Sequence, residues 1–267
     1  MNYLIKHLKI ALAFVKISWK NSIEYMNDFV VICLDFFVTT VSTIIFWKYL
    51  LVDYNRLGDW SMTGLVLIGI FGNASWAISE VLAGAWMLPE KITEGKLDKY
   101  LCRPVNTLFA LLLEDMQLEE LIKGVLSLIV LLIWHSVTFS VSVNSINLFL
   151  AVSSLILGVL IVAGIRALYA SVSFWLPNTE GIEFLIHMED LGIDRYPLDI
   201  FHGSIRVILL SIIPVGFVAC FPAMFYLGLF KNPSSFFLLE VLALIIVYSI
   251  LSVLWKKGIC RYEATGG

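Results

Sequence analysis

Six residues that carry charge or strong polarity fall inside long apolar runs of this chain: Asp35, Asn73, Glu80, His135, Arg166 and Glu240. An ionised side chain at membrane depth is costly, so it faces a bundle interior, a water-filled path or an opposite charge. Counted in from the ends nearer the lysines, at about 1.5 Å per residue, Glu80 and Arg166 both lie roughly 10 to 15 Å deep. They are therefore expected to be near one another, either pinning helices together or moving a proton. His135 sits towards the other end of its run, where the imidazole is expected to be solvated or hydrogen-bonded. Asp35 and Glu240 lie near the ends of theirs and can snorkel.

Outside the apolar runs, Glu180, Glu183, Glu189, Asp190, Asp194 and Asp199 make the stretch Leu176 to Arg206 acidic. Their spacing fits no calcium loop, and the stretch reads as a solvated connector with a short surface helix at Ile182 to Ile186. Cys33, Cys102, Cys220 and Cys260 have no metal or redox spacing. No metal site, resident cofactor or nucleic-acid partner is expected. The chain has no phosphate-binding G-x-x-x-x-G-K-[ST] loop, no H-E-x-x-H and no G-x-S-x-G elbow. It is not read as an enzyme; if the protein uses chemical energy, another chain hydrolyses the nucleotide.

The elements that hold these residues follow from composition. With 267 residues, 60% of them hydrophobic, 15% charged and a mean hydropathy of +0.90, the chain reads as an all-α polytopic membrane protein. A single transmembrane domain, residues 1–267, is expected to hold six spans: Phe29–Leu51, Ser61–Trp86, Leu121–Val141, Leu148–Trp175, Val207–Phe230 and Phe236–Trp255. In this arrangement fourteen of the eighteen Lys and Arg fall on one side, which makes that side cytosolic and places both termini there, in the plasma or inner membrane. Residues 1–22 are too polar on one side to span. Lys6, Lys9, Lys16 and Lys20 share a sector of about 80° opposite Leu4, Leu8, Ala11 and Val15, the pattern of an interfacial helix against membrane lipid. Gly69, Gly72, Gly158 and Gly164 offer surfaces for close helix approach. Pro214 and Pro222 are expected to kink span five, for packing or to open a path.

Between spans two and three lies a charged interruption, Gly95-Lys96-Leu97-Asp98-Lys99-Tyr100-Leu101-Cys102-Arg103-Pro104. Leu97 to Leu101 has room for little more than one helical turn, with Leu97 and Leu101 one turn apart on one side. Gly95 gives a flexible entry and Pro104 an end at Arg103. The segment reads as a short, exposed cytosolic docking surface. Ile92 to Val105 also resembles the G-x-L-D-x-x-L-x-R-P stretch of the permease subunits of bacterial type-2 ATP-binding-cassette (ABC) exporters. Tyr196 to Phe201 and the Pro214 to Pro222 region resemble two further blocks of that family, in the same order. Cys102 departs from the pattern, where a leucine is expected.

The resemblance implies a permease that builds its translocation path at a dimer interface, with the same chain or a sister permease as partner. It also implies a separate cytosolic ABC ATPase subunit that carries the ATP and Mg. Gly95, Leu97, Asp98, Tyr100, Leu101, Arg103 and Pro104 would then form the coupling helix that meets the ATPase. An ion-coupled secondary transporter built on Asp35, Glu80, Arg166 or Glu240 is the rival, although it should show an internal repeat that the halves lack. A non-transporting scaffold is the other. The apolar spans lean towards an amphipathic or hydrophobic cargo.

Overall fold

The computed structural model describes residues 2–24, 26–52, 56–58, 60–82, 87–102, 105–114, 116–138, 144–176, 181, 187, 192–211 and 213–262. Arg103, Pro104, residues 182–186, Glu180, Glu189 and Asp190 lie outside them. In chain order the helices are α1 (Asn2–Glu24), α2 (Met26–Leu50), α3 (Met62–Leu82), α4 (Leu88–Thr93), α5 (Asp98–Leu101) and α6 (Thr107–Glu114). They continue with α7 (Leu121–Thr138), α8 (Ser145–Ser171), α9 (Gly203–Ser211), α10 (Phe221–Leu227) and α11 (Pro233–Arg261). Strands β1 (Arg56–Leu57) and β2 (Trp60–Ser61) pair antiparallel between α2 and α3. Among the described residues, five helices are long and apolar enough to cross a membrane; a bent pair, Gly203–Ser211 with Gly216–Leu227, makes six if it counts as one span. The protein is an all-α polytopic membrane protein.

Local sequence sets the helix ends. Asn144 caps α8, its side chain accepting from the Ile146 N–H at 3.1 Å. Pro233 begins α11, where a missing N–H costs little. Gly95, at φ +73°, closes α4: its N–H donates to Ile92 O and the Lys96 N–H to Lys91 O, the paired bonds of a Schellman turn.

α3 is the axis of the bundle and is buried along most of its length. Its neighbours come close where side chains are small. A Cβ on Gly72 would meet the Asp194 carboxylate, and one on Gly158 of α8 would collide with the Phe217 carbonyl. α8 and α11 run parallel: Ser154 meets Glu240, the Tyr248 hydroxyl donates to Leu160 O, and Phe174 packs on Trp255. The chain between them must therefore return across the full thickness of the bundle.

That return is not where the sequence reading puts it. Trp76, well inside α3, donates its indole N–H to Asp194 at 2.9 Å, Tyr196 packs on Trp47, and Trp60 beside the hairpin donates to Asp199 at 3.2 Å. Residues 192–199 thus climb from the middle of α3 to the hairpin side through two short 3-10 turns, Ile193–Arg195 and Leu198–Ile200, rather than a continuous helix, tolerated at membrane depth because the segment is packed in protein or lines a cavity. Within the Leu176 to Arg206 stretch, read as a solvated connector, Asp194 is instead buried and accepts from Trp76, whereas Asp199 stays exposed while it accepts from Trp60.

Nor do residues 207–230 form one kinked span. Arg206, at the start of α9, reaches Asp199 beside Trp60, while Leu227 at the end of α10 touches Gly64, which also packs on Trp60. Between these ends the five-residue π turn Gly216–Cys220 lies deep against Ser75 and Gly158. The two arms, bent by 79°, make a V that enters and leaves on the hairpin side. Pro214 sits at the elbow. Pro222 has no N–H to give the Val218 carbonyl four residues back; Ser75 Oγ donates to that carbonyl instead, at 2.6 Å.

Candidate functional site

Two groups of residues stand out, one at each level of the bundle. On the side opposite the hairpin, α4, α5 and α6 form a platform under α8 and α11. Leu88, Ile92, Leu97 and Tyr100 are buried with Ala110, Leu111, Ala170 and Trp255 in a cluster separate from the main core. Glu114 clamps the platform: one carboxylate oxygen takes Lys91 of α4 at 2.7 Å and the other takes Lys99 of α5 at 3.0 Å. Burial works to raise the Glu114 carboxyl, and the hydrogen bonds and charges of Lys91 and Lys99 outweigh it, holding the group below the ordinary glutamate value. Lys96 bridges Glu90 at 2.7 Å and Glu94 at 2.6 Å. Its hydrogen bond, with its charge, pulls the Glu90 carboxyl down, and the two carboxylates push the Lys96 ammonium up.

The expected docking residues divide between two faces of this platform. Leu97 and Tyr100 are fully buried, whereas Leu101 is 40% exposed and Cys102 is exposed. Leu97 and Leu101 therefore do not share an exposed face: α5 begins only at Asp98, and the Leu97 side chain turns inward to the α8 and α11 ends. Gly95 supplies the left-handed turn that reverses the chain between α4 and α5.

The second group lies within the membrane. Arg166 of α8, 2% exposed, has its guanidinium 2.5 Å from Glu80 of α3, 3.5 Å from the Ser79 hydroxyl and over the Trp76 ring. Trp76 in turn holds Asp194. On the other side of α3, Lys123 of α7 joins Asp35 of α2 at 3.0 Å and Glu120 at 3.2 Å. A cavity of about 540 Å³ opens between these groups, bordered by Asp35, Glu80, Glu120, Lys123 and Asp194. Asp35 is thus paired rather than simply snorkelling. Glu240 does not snorkel either: it is fully buried and accepts from the Ser154 hydroxyl between α8 and α11. His135 packs edge-on against Tyr226 near the hairpin side. Among the described residues no cluster of three or more His, Cys, Asp or Glu could hold a metal.

A membrane bundle with a short helical platform on one side narrows the choice, and a family model decides it. Residues 37–266 match the model of the ABC-2 family transporter protein. The chain belongs to that family. Neither the curated proteins nor the solved structures give a match. The chain is a membrane permease of the ABC-2 type, from a family whose membrane domain has no nucleotide site of its own.

Several residues of this permease were not singled out as candidates from the sequence. Asp194 reads as a solvated acid in the sequence; the signal that could have found it is Trp76, whose indole N–H needs an acceptor once buried. Lys123 was counted only towards orientation. Its partner Asp35 is visible only when α2 and α7 are packed together.

Proposed function

We propose that this permease subunit exports its cargo as a dimer, with an identical or sister chain, and that a separate cytosolic ATPase drives it through the α4–α6 platform. Both termini and the platform are then cytosolic, and the hairpin and the V face the other side. The observation that carries this reading is the division of faces on the platform. Leu101 and Cys102 are open to a soluble partner, while Leu97 and Tyr100 are packed against Trp255 of α11 and residues at the end of α8. A push on the exposed face is transmitted to two parallel spans as rigid-body motion, because the Glu114 clamp and the apolar cluster leave the platform little internal freedom. Coupling enters at Leu101, Cys102 and the neighbouring Asp98, with Gly95 fixing the turn and Leu97 and Tyr100 transmitting. Arg103 and Pro104 follow directly and belong to the same proposal.

The test is co-purification with a cytosolic ABC ATPase, whose gene is expected in a neighbouring reading frame. Leu101→Asp should abolish the association without lowering the yield of folded permease, whereas Leu97→Ala should keep the association and lower stability. Retention of the ATPase by Leu101→Asp would overturn the assignment of the docking face.

A further inference from the structure

Helix α1 leads into α2, whose apolar run begins at Phe29. It packs against Leu118–Glu120, the first turn of a second apolar span, and against α6 of the platform. The helix therefore lies at the level where two spans leave the lipid. On one side Ile10, Ala11, Phe14 and Val15 are half-buried and Ser18 is buried. That side, opposite the lysines, is covered by protein, so contact with anything outside the chain falls to the rest of the helix surface.

What α1 turns outward is Lys9, Lys16 and Lys20, all exposed and within about 40° of one another at about 3.6 residues per turn. Leu12 and Trp19, also exposed, stand in line on one side of this sector, and exposed Ile17 stands on the other. The three lysines have no ion pair among the described residues, whereas Lys91, Lys96, Lys99 and Lys123 each hold one or two carboxylates. Unmatched cations beside bare apolar side chains fit a headgroup layer, which offers phosphates to the lysines and acyl carbons to leucine and tryptophan. The continuity of α1 with two span ends favours such a layer over an acidic protein surface.

We propose that the outer face of α1 binds anionic lipids, with Lys9, Lys16 and Lys20 on the headgroup phosphates and Leu12 and Trp19 against the upper acyl carbons. Each lysine near an anionic surface strengthens binding by about fivefold, so the three together supply about a hundredfold. That the leaflet is the cytosolic one rests on the permease reading; the binding itself does not.

The experiment uses the full chain in phosphatidylcholine nanodiscs, with Cys33, Cys102, Cys220 and Cys260 replaced by serine and bimane attached through Ala13→Cys, beside the lysine sector. Spin-labelled phosphatidylglycerol should quench the bimane at a concentration at least about tenfold lower than spin-labelled phosphatidylcholine does. Lys9→Gln/Lys16→Gln/Lys20→Gln should abolish that preference and Lys9→Arg/Lys16→Arg/Lys20→Arg should keep it. Molar salt, which shortens the Debye length to about 3 Å, should shrink it in the wild type. Equal quenching by the two lipids, or a preference that either the glutamine variant or molar salt leaves unchanged, would overturn the proposal. Should the glutamine variant not fold, the salt series on the wild type gives the answer alone. Absence of a lipid preference, with ATPase association lost in the glutamine variant, would assign the lysines to the ATPase and equally overturn it. Leu101→Asp, scored for ATPase association, should leave the lipid preference intact, so failure of the docking reading and failure of this one are distinguishable.

Discussion

Removing one partner of the Glu80–Arg166 pair should expose an asymmetry set by burial. The Arg166 side chain is 2% exposed and that of Glu80 is 20% exposed on the large cavity. Glu80→Leu leaves the guanidinium without its carboxylate in a buried site, a loss of about 3 to 5 kcal/mol for a broken buried ion pair. Arg166→Met keeps most of the apolar stem and leaves a carboxylate that cavity water can reach, a loss of about 1 to 3 kcal/mol. The double variant Glu80→Leu/Arg166→Met removes both charges and should be more stable than Glu80→Leu alone, because neighbours in one network are not additive. Thermal unfolding in detergent, followed by the monodisperse fraction remaining after heating, reads the series; each kcal/mol corresponds to roughly 2 to 4 °C in a chain of this size. Equal losses for the two single variants, with a double variant at their sum, would refute the reasoning.

Two further outcomes follow from the geometry. Ser75→Ala should destabilise the protein by about 1 to 3 kcal/mol, since it strips the Val218 carbonyl of the donor that replaces the missing Pro222 N–H; if restoring that N–H with Ser75→Ala/Pro222→Ala recovers nothing, the account of the elbow is wrong. Glu114→Gln should cost about 1 kcal/mol at pH 7, discounted for a partly exposed clamp. Because the folded Glu114 carboxyl is held below its ordinary value, this contribution is present above an unfolded value of about 4.3 and is lost as pH falls through the folded one. The gap in melting temperature between wild type and Glu114→Gln should therefore close on acidification, and a gap unchanged down to pH 3 would contradict the clamp.

Much of the fold was legible in the sequence because long apolar runs report membrane helices directly, and glycines report close approach. Gly72 and Gly158 are both used in this way, one against Asp194 and Ala219 and the other against the Phe217 backbone. Depth counting set Glu80 and Arg166 at one level, where they touch. The path from Leu176 to Phe230 was not legible. Hydropathy sums apolar residues and cannot tell a run that crosses from one that turns at Pro214 and leaves by the side it entered. Asp194 looks solvated until the indole of Trp76 is placed beside it. Similarly, a four-residue spacing cannot show that Leu97 precedes the first turn of α5 and points into the Trp255 cluster while Leu101 points out.

The most direct test of the coupling platform is the sidedness of Cys102. With Cys33, Cys220 and Cys260 replaced by serine, a membrane-impermeant maleimide should label Cys102 in inverted vesicles and not in intact cells, and bound ATPase should block the labelling. Labelling from the cell exterior, or labelling in inverted vesicles that saturating ATPase leaves unchanged, would contradict the account.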